Sequence, residues 1–139
     1  MRKRVTLNEA TKFHGHLGPY LILGILAGES ALKKLKCKKY FGLDVKVCGA
    51  DKKPKSCFID GLQLSTGATY GKGNIAKIQS NKIRAVFCNT QNNKKLTISL
   101  KDGIIDKLNN LKRHRDSELF AKELYRKSPA DIFISNNND

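Results

Sequence analysis

Apolar residues recur at helical spacing from Pro19 to about Lys36. Leu21, Ile25, Leu32 and Leu35 form one stripe, and Ile22, Leu23 and Leu26 widen it. Pro19 suits the first helical position, where its missing N–H costs nothing. Gly24 and Gly28, four apart, make a smooth strip that another backbone can approach closely, a candidate helix contact. Upstream, Thr6 or Asn8 caps a short helix ending near Phe13. The period then changes. Asp44 to Ala50 alternates and predicts a strand, as do Ile83 to Cys88 and Lys94 to Leu100, the last two joined by a Thr90-Gln91-Asn92-Asn93 turn. Ser56 is positioned to cap a helix over Cys57 to Leu64 that Gly67 ends. Two more helices are predicted, from Lys101 to about Leu111 and from Ser117 to Lys127, the second capped by Asp116 or Ser117 and followed by Pro129. Asp131 to Ser135 reads as a short strand and Asn136 to Asp139 as a frayed end. Helices followed by strands mixed with helices predict an α+β fold: a two-layer single domain with a mostly antiparallel sheet packed against helices.

Length agrees with one domain, since 139 residues can bury a core without staples. The formal charge of +15 raises nucleic acid, an anionic ligand or an acidic partner as candidates. Arg is scarce and Trp absent, whereas specific nucleic-acid readers lean on Arg forks and aromatic platforms. Codon bias and solvated faces therefore explain the excess better than a nucleic-acid role. Lysines 33 to 39 crowd a helix C-terminus, where the dipole favours cations. No apolar segment follows the basic start, and the apolar run from Tyr20 to Ala27 is far too short for a bilayer. A cytoplasmic location is expected, with Cys37, Cys48, Cys57 and Cys88 as thiols. No CxxC spacing occurs, which excludes a zinc ribbon or a thioredoxin motif.

Chemistry concentrates in three segments. His14 and His16 flank Gly15 and can converge on one metal, although such a pair is more often a local hydrogen-bonding couple. Cys57 stands at a predicted helix N-terminus, where free N–H groups would stabilise a thiolate, as nucleophile or as ligand. The bland alternative is a small buried residue, which fits Cys37, Cys48 and Cys88 well. Asp60, on the same helix face as Cys57, is a candidate base, a partner orienting a histidine, or a first-turn acid serving the helix dipole. The third segment, Ser65 to Asn74, has glycines around Lys72 but not the Walker A spacing. Thr66, Gly67, Gly71, Lys72, Gly73 and Asn74 could hold a small anion, or the loop could be a tight turn, with equal weight. His114, among Lys112, Arg113 and Arg115, reads as a surface residue in a helix-to-helix link.

Together these segments resemble the FmdE family of formylmethanofuran dehydrogenase subunits. The motifs are Phe13-His14-Gly15-His16-Leu17-Gly18-Pro19-Tyr20, Ser56-Cys57-Phe58-Ile59-Asp60-Gly61-Leu62-Gln63 and Ser65 to Asn74, in order, within residues 8 to 135. The resemblance implies an α+β core whose cleft is lined by all three. It implies zinc, or another transition metal, near His14, His16 and Cys57; the residue chemistry itself makes Cys57 and Asp60 the candidate catalytic groups. It further implies anaerobic, methanogenesis-type one-carbon metabolism, the dehydrogenase's other subunits as partners, and a homodimer. Many relatives carry a cysteine where Gly18 stands, and many add a C-terminal zinc module. No cysteine follows Cys88, so a single domain without that module is expected. Two functions follow: a metal-binding accessory protein or small metalloenzyme, or a non-catalytic module docking through its basic surface.

Overall fold

The structure, a computed structural model, describes residues 4–138. Six helices and five strands alternate along it: α1 (Leu7–His14), α2 (Pro19–Leu35), β1 (Leu43–Cys48), α3 (Cys57–Thr66), β2 (Ile75–Ile78), β3 (Arg84–Asn89), β4 (Lys95–Leu100), α4 (Asp102–Asn109), α5 (His114–Arg126), α6 (Pro129–Ile132) and β5 (Phe133–Asn138). The strands form one open sheet in the order β2-β1-β3-β4-β5. All neighbours are antiparallel except β1 and β2, which are parallel and joined through α3. The α+β reading therefore stands. Among the described residues no helix is long and apolar enough to cross a membrane.

α2 is buried nearly all round because it is the centre of the helical layer. It packs on β3 and β4 and is flanked by α3 and α5. The Gly24/Gly28 strip is spent inside the domain, on α3. A Cβ at Gly24 would overlap the Phe58 carbonyl, and one at Gly61 would overlap the Leu21 carbonyl. Ser65 Oγ donates across this seam to the Gly24 carbonyl at 3.3 Å. The inner sheet face supplies Val45, Val47, Phe87, Leu96 and Ile98, all buried against α2 and its neighbours. An N-terminal strap closes the far side: Val5 N donates to Glu29 Oε2 at 2.8 Å, and Tyr125 donates its hydroxyl to the Val5 carbonyl at 2.6 Å.

Several boundaries differ from expectation. Thr6, not Asn8, caps α1, through a capping box with Glu9. α1 runs one residue past Phe13, so His14 is helical and Gly15, at φ 103°, makes the turn. Ser56 precedes α3 in helical geometry and makes no side-chain cap. α5 begins at His114, three residues before the expected start, with Arg113 as its cap residue. Asn136 to Asn138 are not frayed; they pair with Thr97, Leu96 and Lys95 as the end of β5. Asp139 lies outside the described residues. β2 escapes the sequence pattern because only four residues form it, at the sheet edge.

Candidate functional site

His14 closes α1, and Asp60 sits in the first turn of α3. Their side chains meet: Asp60 Oδ2 lies 2.6 Å from His14 Nδ1. The imidazole is 10% exposed and the carboxylate 39%. In the neutral ring, an Nδ1–H donated to Asp60 leaves the lone pair on Nε2. That Nε2 is buried and has no hydrogen-bond partner among the described residues. Buried polar atoms without partners are rare and costly, which makes this nitrogen the most unusual polar atom of the segment. A carboxylate fixing one imidazole nitrogen while the other faces an acceptor site is how metal-ligating histidines are commonly held.

Gly15 reverses the chain and brings the His16 ring to 4.7 Å from that of His14, centroid to centroid. His16 is exposed, and its other neighbour is unexpected: the His114 ring lies 6.0 Å away. His114 is exposed, as its basic surroundings suggest, but it starts α5 rather than a link. No local pattern ties position 114 to position 16; only the packing of α5 beside the HGH turn does. A groove of about 400 Å³ runs between them, walled by Leu7, Thr11, Leu17 and Lys122 among others.

Cys57 is the first residue of α3 and half-buried. The helix end does not make it a ready thiolate. Burial pushes its pKa above the usual thiol value and the Asp60 carboxylate pushes it further, with Lys53 opposing in part. Asp60 itself is engaged with His14, the geometry of an orienting group. Among the described residues, no three His, Cys, Asp or Glu side chains are grouped to hold a metal ion. The donors suit zinc in kind. A metal would have to draw His16 and the Cys57 sulfur inward.

The Ser65–Asn74 segment is bound up with itself. The Thr66 hydroxyl donates to the Leu62 carbonyl at 2.6 Å, and Gly67 ends α3 at φ 77°. Thr69 N donates to Asn74 Oδ1, Tyr70 N to Gln63 Oε1, Lys72 N to Thr69 Oγ1, and Gly73 N to the Thr69 carbonyl. These four N–H groups already have acceptors, so they make no open anion cradle. The Lys72 ammonium donates to the Gly67 carbonyl and lies over the Tyr40 and Phe41 rings. The loop is tied to the C-terminal end of α3, whereas Cys57 and Asp60 lie at its N-terminal end. Gln63 and Asp60 share the exposed face between them.

A family model described as "FmdE, Molybdenum formylmethanofuran dehydrogenase operon" matches residues 13–135. The crystal structure of a tungsten formylmethanofuran dehydrogenase FmdE-like protein from Syntrophus aciditrophicus matches with a TM-score of 0.62 at 20% identity. The match covers 99% of this chain and 77% of that one. At that identity the likeness shows a shared fold. No curated protein matches.

Proposed function

The chain belongs to the FmdE family, and from that premise we propose that it is a metal-binding protein of anaerobic one-carbon metabolism, an accessory chain or small metalloenzyme. The observation that carries this reading is the buried, partnerless Nε2 of His14, held in place through Nδ1 by Asp60. His14 and His16 are the nitrogen ligands, Cys57 joins as the sulfur ligand, and the metal is zinc. Zinc bound there would supply a Lewis acid that acidifies water or polarises a carbonyl. The chain's own residues do the rest. Asp60 orients His14, His16 stands at the solvent side, and the groove beside His16 and His114 gives a substrate room next to the ligands. Cys57, kept as a thiol at neutral pH by burial, would give up its proton on binding a metal.

On the same reading the protein works beside the catalytic subunits of a formylmethanofuran dehydrogenase, and it self-associates. Elemental analysis of untagged protein tests the metal half. About one zinc per chain is expected, lost in both His16→Ala and Cys57→Ala. Metal-free, folded protein would sink it and leave docking as the function. Sedimentation with and without the dehydrogenase tests the partner half.

A further inference from the structure

The Ser65–Asn74 segment contributes nothing to the histidine site, yet three of its groups, the Thr66 carbonyl, the Asn74 amide and the Lys72 ammonium, address one neighbour, Tyr40. Tyr40 has φ 77°, a left-handed conformation in which a bulky residue is strained. Its N–H donates to the Thr66 carbonyl at 2.7 Å, and its own carbonyl accepts from Asn74 Nδ2 at 2.9 Å. Gly67 leaves room for it, since a Cβ there would overlap the Tyr40 ring and backbone. The next carbonyl, of Phe41, accepts from the Thr90 hydroxyl at 3.3 Å. All this bracing holds aromatic rings in water. Tyr40 is 55% exposed, Phe41 73%, and Tyr70, on the loop itself, 51%. Strain and anchoring that leave these rings half or more exposed point to a surface kept for a partner. Lys36 and Lys38 beside the turn are exposed as well.

We propose that the Lys39-Tyr40-Phe41 turn, braced by the Ser65–Asn74 loop, is a docking surface for an acidic protein. The exposed ring edges pack on an apolar patch of that partner, and Lys36, Lys38 and Lys39 meet carboxylates around it. Aromatic anchors with a charged rim are the usual anatomy of a protein interface, and a braced turn loses little entropy on binding. Stacked nucleotide bases fit less well, because the ring faces already carry cations. Lys72 stands 4.5 Å from the Phe41 centroid and 5.3 Å from that of Tyr40, and Lys39 stands 5.4 Å from Tyr40. A second copy fits less well too, since it would set lysine against lysine on a chain of net charge +15. The inference rests on the partner half of the proposed function and is independent of the metal.

A photo-crosslinking benzoylphenylalanine is placed at position 41 of the full chain, and at position 119 as a reference, because Leu119 is 56% exposed elsewhere. Cells of the source organism are irradiated, the adduct is identified, and that partner is purified and titrated. The expected adduct forms at 41 and not at 119, on a peptide rich in Asp and Glu. Its binding should weaken about tenfold or more from low to moderate salt. Phe41→Ala and Lys38→Glu should each cost a further tenfold or so, with unchanged circular dichroism and melting. Three results would overturn the proposal: equal adducts at 41 and 119, an adduct to nucleic acid or to a second copy, or full affinity in Phe41→Ala. Purified dehydrogenase that binds Phe41→Ala normally sinks the turn alone. An acidic partner other than the dehydrogenase keeps the turn and sinks that choice of partner.

Discussion

His14 carries the account because its two ring nitrogens live in opposite circumstances, one bonded to Asp60 and one buried alone. Gly18 offers an independent check. It is the extended N-cap of α2, and a Cβ there would sit 3.5 Å from His16, an ordinary contact. Gly18→Cys should therefore fold normally and tighten zinc binding by about tenfold or more, by adding a soft donor beside His16. A variant that folds and binds zinc no better would argue against a metal at this turn. Cys57 gives a second check. Burial and Asp60 both favour its neutral form, so the folded pKa is raised. The thiol's favourable contribution is complete at neutral pH and is lost as pH rises through that raised value. Alkylation by iodoacetamide should rise at higher pH than for free cysteine, and Asp60→Asn should move the rise down. Half-maximal alkylation below that of free cysteine would contradict this. Glu29 is the third group. Burial raises its pKa, outweighing the Val5 N–H, Arg4 and Lys39. The folded chain thus holds that proton more tightly than the unfolded chain. Stability falls as pH climbs from the ordinary carboxyl value to the raised one. Glu29→Gln keeps an acceptor for Val5, so its melting temperature relative to the parent should rise across that window.

At the scale of elements, the α2–α3 seam matters most, because it sets Asp60 against His14. Gly24→Ala and Gly61→Ala each drive a methyl into facing backbone, which no rotamer change relieves. Each should cost about 3 kcal/mol or more in a denaturant melt. Gly103→Ala, with open space around its Cβ position, should cost nothing and gain a little helix propensity. Equal losses at all three would contradict the seam. β1, β3 and β4 are legible in the sequence because each alternates with one buried face, and α2 because a long apolar run opens on Pro19. The start of α5 is not, since Arg113 is no cap former and offers no side-chain cap bond. β2 is not, because only its first residue is buried and its partner β1 is remote in sequence. The HGH turn and the Cys57–Asp60 face are legible as motifs, but their joining by a hydrogen bond between α1 and α3 is not. His114 is invisible as a neighbour of His16 for the same reason: a contact between distant elements leaves no local period.

For the whole molecule, the excess of lysine leaves mostly repulsion to be screened. The salt bridges join exposed or half-exposed partners, such as Lys107 with Glu123 at 3.4 Å, and add little. Raising ionic strength from low to physiological should therefore raise the melting temperature by a few degrees, roughly what 1 kcal/mol gives in a domain this size. A fall would mean that attractive pairs dominate. The exposed rings at Tyr40 and Phe41 qualify the composition argument against partners: aromatics are few, but these two share one lysine-rich turn under Lys72. Everything proposed for the histidine turn depends on a metal at His14. A competitive titration with zinc and a chromophoric chelator measures it directly, on the metal-stripped protein, His14→Ala and Asp60→Asn. The account predicts about one tight site per chain, abolished in His14→Ala and weakened some 10- to 100-fold in Asp60→Asn, which loses the carboxylate that orients the ligand. Zinc affinity unchanged in both variants, or no zinc bound by the folded parent chain, would contradict it.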